Sequence, residues 1–558
     1  DSEAQDIKKI SGVKEVYKNY EVHTTLMDSV PLIQNGIPAG QLDKNGNNCI
    51  TSGQECLTGK GIKIAIIDTG VDYTHPDFGN CRVVPNTLNC FERRTSTLSH
   101  QHLDGTIHTC MDSDGGLNYC NFGLVGQFYG PVKLSGAIVY PDRCASGKTL
   151  QEGVCSGTGG FSGNELFDVE DIECEYGCVG RGICKLAPTN INSLKCSKIV
   201  GGYNFVKCEK IGTLNTGEIV CYYLYDSIEN EDPMDYNGHG THVAGILHGV
   251  APDAEIYAYR VLNADGGGLD SWVIEGIEMA TDPNQDGNFD DKVDIISMSL
   301  GGPGNPDDPV SKAVDNAVDA GVIVIVAAGN SGWGGESTIE SPGTARKAIT
   351  VGATYKKTYK ERLYEGGPFV DVTEDSIPRF SSIGPLIWNG KDLMKPDLVA
   401  PGAKICSSYP LIVYDTLFPE FECNQNNLYI ELAGTSMATP HVAGAVALMK
   451  QAHPDWSPDK IKMILKQSAK KLGNDPFIGY PYTLDYQGAG RLDIKKAVSY
   501  EINQAFCSSH TYYSSPSFVT GQACCFNSQV IQSNALAPDS YNRFLCVDGQ
   551  IFSHTHGI

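Results

Sequence analysis

Four short runs of aliphatic and β-branched residues constrain this 558-residue chain more than any other feature of it. The first begins at Gly61 and reads Gly-Ile-Lys-Ile-Ala-Ile-Ile-Asp, a run of strand length that ends on Asp68 and is followed by Thr69-Gly70. The others cover residues 256–261, 293–298 and 322–328, with helical stretches at 271–280 and 310–320 between them. Strands that are apolar on both faces, alternating with helices of about 10 to 15 residues, require a parallel sheet covered on each side, because every crossover lays a helix on one face. The expected fold class is therefore α/β: three layers, a mostly parallel central sheet, and ligands at the carboxyl ends of its strands.

The alternation is interrupted twice. Residues 79–198 hold ten of the twenty cysteines among many Gly, Ser, Asn and Asp, and read as an irregular, disulfide-stapled insertion with short strands. Residues 501–558 carry Cys507, Cys524, Cys525 and Cys546 with several Tyr and polar turns, and read as a small appended β-rich unit. The remaining cysteines group as Cys49 with Cys56, Cys208 with Cys221, and Cys406 with Cys423. Zinc would require paired C-x₂-C spacings, which are missing, since Cys174-x₃-Cys178 stands alone. Even grouping points to local disulfides whose pairing stays open, in an oxidising extracytoplasmic setting or a hyperthermophile's interior. No leader-like stretch opens the numbering at Asp1, so a secretory signal was either removed before it or never present.

Charge narrows the partners. Lys and Arg number 42 against 66 for Asp and Glu, a net charge of −24. Such a surface repels a phosphate backbone, which excludes nucleic acid, and disfavours an anionic membrane face. No run approaches the roughly 18 to 20 apolar residues of a membrane helix, so no transmembrane segment is expected.

Three segments carry chemistry. Asp68-Thr69-Gly70 ends a buried strand and is followed by Asp72, His75, Pro76 and Asp77. Asn237-Gly238-His239-Gly240-Thr241-His242-Val243-Ala244-Gly245 has the small residues that let a helix pack closely. In Gly434-Thr435-Ser436-Met437-Ala438-Thr439-Pro440-His441 a serine stands ahead of a proline-containing helix start. Singly they read as a turn-forming acid, a structural histidine and an N-cap. Together they supply a weak alcohol, a base for its proton and an anion to orient that base, which is what nucleophilic acyl transfer needs. Ala327-Ala328-Gly329-Asn330-Ser331-Gly332 adds an amide at a strand end that can donate to an oxyanion beside the Ser436 N–H.

In the order Asp68, His239, Asn330, Ser436, these blocks resemble those of the subtilisin-like serine proteases, the subtilase family. The likeness runs from about Gly61 to Ala497 apart from the insertion, with Ile199-Val200-Gly201-Gly202-Tyr203 matching the strand after the Asp block, and Phe380-Ser381-Ser382 and Lys395-Pro396-Asp397-Leu398-Val399-Ala400-Pro401-Gly402 in support. The resemblance implies a subtilisin-like catalytic domain over residues 31–78 and 199–500, with Ser436 as nucleophile, His239 as base then acid, Asp68 as its orienting anion and Asn330 as oxyanion donor. It implies an extended peptide held between two strand edges, here Asp265-Gly266-Gly267-Gly268 and Ser299-Leu300-Gly301-Gly302. Glu340 stands where the family often has Gly at the base of the primary pocket. Its carboxylate would favour Lys or Arg before the scissile bond, unless it is a solvated loop residue.

Two further expectations concern calcium and processing. Asp282, Asn284, Asp286, Asn288, Asp290 and Asp291 place oxygen donors at alternate positions around Gly287, as a hard cation requires, though Val293 stands where an EF-hand has its closing Glu; a solvated acidic loop is the alternative. Asp77 resembles a second family calcium ligand. Ile10-Ser11-Gly12-Val13-Lys14-Glu15-Val16-Tyr17 looks like the tail of an inhibitory propeptide, which makes residues 1–30 a remnant or unprocessed segment with a cut near Val22 to Leu26. The expected protein is a secreted or cell-surface, calcium-stabilised endopeptidase acting on protein or peptide substrates and on its own propeptide. The alternative is an extracellular structural or self-assembling protein on the same scaffold. An esterase of the α/β-hydrolase kind is disfavoured, because no G-x-S-x-G surrounds Ser436.

Overall fold

The computed structural model describes residues 42–49, 53–78, 198–208, 232–362, 367–410, 423 and 428–500 in full, and elsewhere only the backbone of short strands. Its centre is a seven-stranded sheet of β1 (Lys63–Asp68), β2 (Ile199–Asn204), β3 (Glu255–Arg260), β4 (Ile295–Met298), β5 (Ile323–Ala327), β6 (Ile349–Thr354) and β7 (Leu398–Pro401). The spatial order is β2-β3-β1-β4-β5-β6-β7, and each neighbouring pair is parallel. The α/β class and the parallel sheet read from the alternation are thus present.

Burial on both faces follows the two-residue period of a strand. Ile64 and Ile66 of β1 join one apolar cluster while Ala65 and Ile67 join the other; in β5, Ile323 and Ile325 divide from Val324 and Val326 in the same way. Helices α1 (His239–Val250), α4 (Thr435–Ala452) and α5 (Pro458–Ser468) contribute to the first cluster, and α2 (Asp270–Thr281) and α3 (Pro309–Asp319) to the second. From Thr435 to Met449 every residue of α4 is buried, as expected of a helix apolar all round. Two of the helices start on strong local signals. Asp308 precedes Pro309 and accepts the Ser311 N–H at 2.7 Å, and Ser457 precedes Pro458 and accepts the Lys460 N–H at 3.3 Å.

The backbone of the inserted region forms short antiparallel strands. One sheet comprises Ser96–Gln101, Ile107–Asp112, Val132–Leu134 and Ala137–Tyr140, and a longer pair is Thr149–Cys155 with Phe167–Glu173. Hairpins Ala523–Phe526 with Gln529–Gln532, and Phe544–Val547 with Gln550–Ser553, lie near the C-terminal end. Cys49–Cys56 and Cys406–Cys423 are disulfides, matching two of the groups seen in the sequence. The remaining pairings fall outside the fully described residues.

One buried carboxylate ties α5 to the sheet. Asp397, immediately before β7 and 2% exposed, lies 3.0 Å from Lys395 Nζ, 3.2 Å from Lys462 Nζ and 3.3 Å from Lys466 Nζ, and accepts the Thr350 N–H at 2.9 Å. Burial by itself would raise this carboxyl. The ammonium groups of Lys395, Lys462 and Lys466 outweigh it and hold Asp397 well below the usual carboxylate range. A depressed folded-state pKa contributes stability that is present above the unfolded value, about 4, and is lost as pH falls below it. Asp397→Ala should lower the free energy of unfolding by about 3 to 5 kcal/mol, since it strands buried cations without a counter-charge. Denaturant titrations of both proteins from pH 7 down to 3 check this, with the difference between them shrinking on the acid side.

Candidate active site

The carboxyl end of β1 delivers Asp68, fully buried, to the start of α1. That approach is possible because the two backbones nearly touch: a Cβ on Gly240 would lie 2.0 Å from Gly70 O, and Gly70 itself turns at φ +101°. His239 is the first residue of α1, and its Nδ1 lies 2.6 Å from Asp68 Oδ1 with both side chains at 0% exposure. The Thr69 N–H donates to the same oxygen at 2.8 Å. A carboxylate can only accept, so the imidazole carries its proton on Nδ1 and its lone pair on Nε2. Nε2 is buried and meets no hydrogen-bond partner among the described residues.

Ser436 is the second residue of α4, which starts from Gly434. Pro440 has no N–H to give the Ser436 carbonyl, and Ser299, just past β4, fills the gap: its Oγ donates to Ser436 O at 2.7 Å. In return the Ser436 hydroxyl donates to Ser299 O at 3.1 Å. Asn330 follows β5, and its Oδ1 accepts both the N–H (2.9 Å) and the hydroxyl (3.1 Å) of Thr435. Occupying the amide oxygen this way turns the Nδ2 donor away from Thr435. The carboxyl ends of β1, β4 and β5 and the N-termini of α1 and α4 thus gather Asp68, His239, Ser299, Asn330 and Ser436 on one edge of the sheet.

Two strand edges flank this group. Gly267–Leu269 and Leu300–Gly301 both pair antiparallel with Glu21–Thr24: His23 opposes Gly267 on one side and Gly301 on the other, and Thr24 opposes Leu300. A little further on, Met27 and Asp28 oppose Ala433 and Leu432 of Tyr429–Ala433, the strand leading to Ser436. Of the residues expected to hold an extended peptide, Gly267, Gly268, Leu300 and Gly301 therefore line a strand-wide slot. Gly266, just ahead of it, turns at φ +82°. Gly302 has its N–H and C=O both paired with Ser341 at 2.9 Å. That bridge brings Glu340 to the slot. Its carboxylate accepts from the Ser331 hydroxyl and from the Asn330 N–H at 3.3 Å, and its other oxygen would lie 2.8 Å from a Cβ on Gly301. Burial pushes this carboxyl up from its usual value, opposed by those two hydrogen bonds.

The expected cation ligands fare unevenly. Asp77 accepts from the hydroxyls of Ser408 and Tyr429, the latter at 2.6 Å, one on each carboxylate oxygen. In the 282–291 loop, Asp282 accepts the Asp286 and Gly287 N–H groups at 3.2 and 2.9 Å, Asn284 accepts the Asp286 N–H at 2.9 Å, and Asp286 accepts the Asn288 N–H at 2.7 Å. Asp291 Oδ1 is buried without a hydrogen-bond partner among the described residues. Among those residues no three His, Cys, Asp or Glu side chains converge as a metal group. Two site residues carried no role in the sequence reading. Thr435 lies inside the Ser436 block, and Asp235 lies two residues ahead of the block that begins at Asn237; only their contacts single them out.

A family profile described as the Subtilase family matches residues 59–490. Among similar proteins, the serine protease AprX of Bacillus subtilis (strain 168) is 38% identical over 288 residues, which are 48% of this chain and 60% of that protein. Subtilisin DY of Bacillus licheniformis is 34% identical over 292 residues, 50% of this chain and 81% of the relative. Subtilisin BL of Lederbergia lenta is 36% identical over 255 residues, 44% and 75% respectively. With that match over most of its length, the chain belongs to the Subtilase family of serine endopeptidases.

Proposed function

We propose that this chain hydrolyses peptide bonds through an acyl-enzyme on Ser436. The observation that carries the proposal is the buried 2.6 Å contact between His239 Nδ1 and Asp68, which leaves the lone pair on Nε2, without a hydrogen-bond partner among the described residues. Rotation of the Ser436 hydroxyl from Ser299 O to His239 Nε2 lets the imidazole take its proton as Oγ bonds to the scissile carbonyl carbon. Asp68 stabilises the imidazolium. The oxyanion is held by Asn330 Nδ2 and the Ser436 N–H at the start of α4. His239 then returns the proton to the leaving amine, and water repeats the sequence on the ester, restoring Ser436. The alternative of an inert extracellular scaffold finds no support in this arrangement, as packing alone needs none of these contacts.

Substrate binds as an added antiparallel strand, as Glu21–Thr24 does now. The N-terminal segment is read as a propeptide tail lying in the cleft. The segment pairs with the slot as far as Thr24, opposite Leu300, and pairs again from Met27, opposite Ala433, beside the strand that leads to Ser436, which supports a cut near Val22 to Leu26. A tethered strand has so high an effective concentration that cutting it does not depend on a favoured side chain before the cut bond. For free substrates, Glu340 at the side of the slot favours Lys or Arg before the cut bond, through its carboxylate oxygen beside Gly301. Among the described residues no helix is long and apolar enough to cross a membrane; the disulfides support a secreted or cell-surface location. Calcium would be held by Asp282, Asn284, Asp286, Asn288, Asp290 and Asp291, where it would supply charge balance for a crowded acidic turn.

Ser436→Ala should abolish hydrolysis of a fluorogenic peptide and leave the N-terminal segment attached, whereas N-terminal sequencing of active wild type should begin near Val22 to Leu26 and not at Asp1. An organophosphonate that labelled any residue other than Ser436 would refute the assignment. Asn330→Ala should lower kcat about 10²- to 10³-fold. Glu340→Gly should shift the ratio of cleavage rates from Arg toward Phe reporter substrates, and a wild type that already prefers Phe strongly would remove the basic preference. Calcium at about 100 times its Kd should add about 2.7 kcal/mol of stability, seen as a higher Tm that a chelator reverses and that Asp286→Ala abolishes. A melting curve indifferent to chelator would count against this site.

A further inference from the structure

Asp235, just ahead of His239, is 0% exposed and has no part in the mechanism above. Its Oδ1 accepts from Thr69 Oγ1 at 2.9 Å, from the Asn237 N–H at 2.9 Å and from the Gly238 N–H at 2.8 Å. Its Oδ2 accepts from the Thr241 N–H at 2.9 Å and the Thr241 hydroxyl at 2.7 Å. The two threonines extend the network in both directions: Thr69 Oγ1 accepts the Gly240 N–H at 2.9 Å, and Thr241 Oγ1 accepts the Asp72 N–H at 2.9 Å.

These five bonds all end on one of two segments: the loop after Asp68, through Thr69, or the helix start around His239, through Asn237, Gly238 and Thr241. It also does the work of the missing N-cap, since Gly238 at that position has no side chain with which to satisfy the first N–H groups of α1. Burial pushes its carboxyl up from the usual value, while hydrogen bonds from Thr241, Gly238 and Asn237 favour the ionised form that accepts at every lone pair. Burying a carboxylate costs several kcal/mol even after relaxation. A cost of that size is not needed to pack a turn.

We propose that Asp235 is a positioning residue for acyl transfer, clamping the Asp68 loop to the His239 helix start so that the imidazole keeps Nδ1 on Asp68 and turns Nε2 to Ser436. The inference rests on the serine endopeptidase reading above. It is tested on the full chain with Asp235→Asn, Thr69→Val and Thr69→Ser, counting active sites by organophosphonate titration. Asp235→Asn should lower kcat per titrated site about 10- to 100-fold, as a misplacement near 1 Å can. KM for a fluorogenic peptide should stay within about twofold, because the peptide slot lies on other strands. The low-field proton resonance of His239 Nδ1–H should shift or vanish. Thr69→Val should move kcat and the resonance the same way, and Thr69→Ser should recover most of the loss.

Wild-type kcat per site and an unmoved resonance in Asp235→Asn would overturn the proposal, even if that variant melted earlier. If Asp235→Asn does not fold, the threonine pair decides, and equal kcat values and equal resonances for Val and Ser at position 69 would overturn it. A wild type that neither cuts nor is labelled at Ser436 would instead defeat the endopeptidase reading. The resonance would then still report whether Asp235 holds His239 on Asp68.

Discussion

A sheet covered on both faces leaves its polar groups no solvent to turn to, and that constraint shapes everything else in this molecule. Within the seven strands the backbone is satisfied by its neighbours, and the side chains that alternate to either cluster are apolar. Polar chemistry is possible only where the ladders stop. The carboxyl ends of β1, β4 and β5 are such places, and Asp68, Ser299 and Asn330 stand there within reach of the helix starts that carry His239 and Ser436.

Three buried carboxylates show how differently that constraint can be met. Asp397 is neutralised by ammonium groups and holds a helix to the sheet; the chemistry is far from its concerns. Asp235 is held by five hydrogen bonds, all from N–H and O–H dipoles. Asp68 is the least satisfied, with Oδ2 lacking a partner among the described residues and Oδ1 committed to His239 and Thr69. A carboxylate left short of donors gains more from an imidazolium beside it, so the incompleteness is where the charge is wanted when the base takes a proton.

Much of the fold could be read in the chain before any coordinates. The run ending on Asp68 is β1, the helical stretch at 271–280 falls inside α2, and that at 310–320 matches α3 to within one residue at each end. β6 and β7 escaped notice as strands, because Ile349–Thr354 is broken by Gly352 and Leu398–Pro401 is only one strand's fragment between prolines. Local pattern is strong where a run is long and uniform, and weak where glycine or proline interrupts it. At the site, residue type and order were enough to nominate Asp68, His239, Asn330 and Ser436. The bridge from Gly302 to Ser341 is something spacing cannot foresee. Asp77 kept the family-like residue but met hydroxyls from Ser408 and Tyr429, far away along the chain.

By itself, then, the sequence determined which segments must be buried and which residue types could do acyl transfer, since hydrophobic period and chemical identity are properties of neighbours along the chain. Distances were decided by tertiary structure. The 2.6 Å bond from His239 to Asp68 exists because Gly70 and Gly240 let two backbones meet, and Ser436 keeps its carbonyl satisfied because Ser299, from another strand, replaces the donor that Pro440 lacks. Hydrogen bonds act over about 3 Å, whereas their partners here are separated by more than a hundred residues of chain, and only folding brings the two scales together.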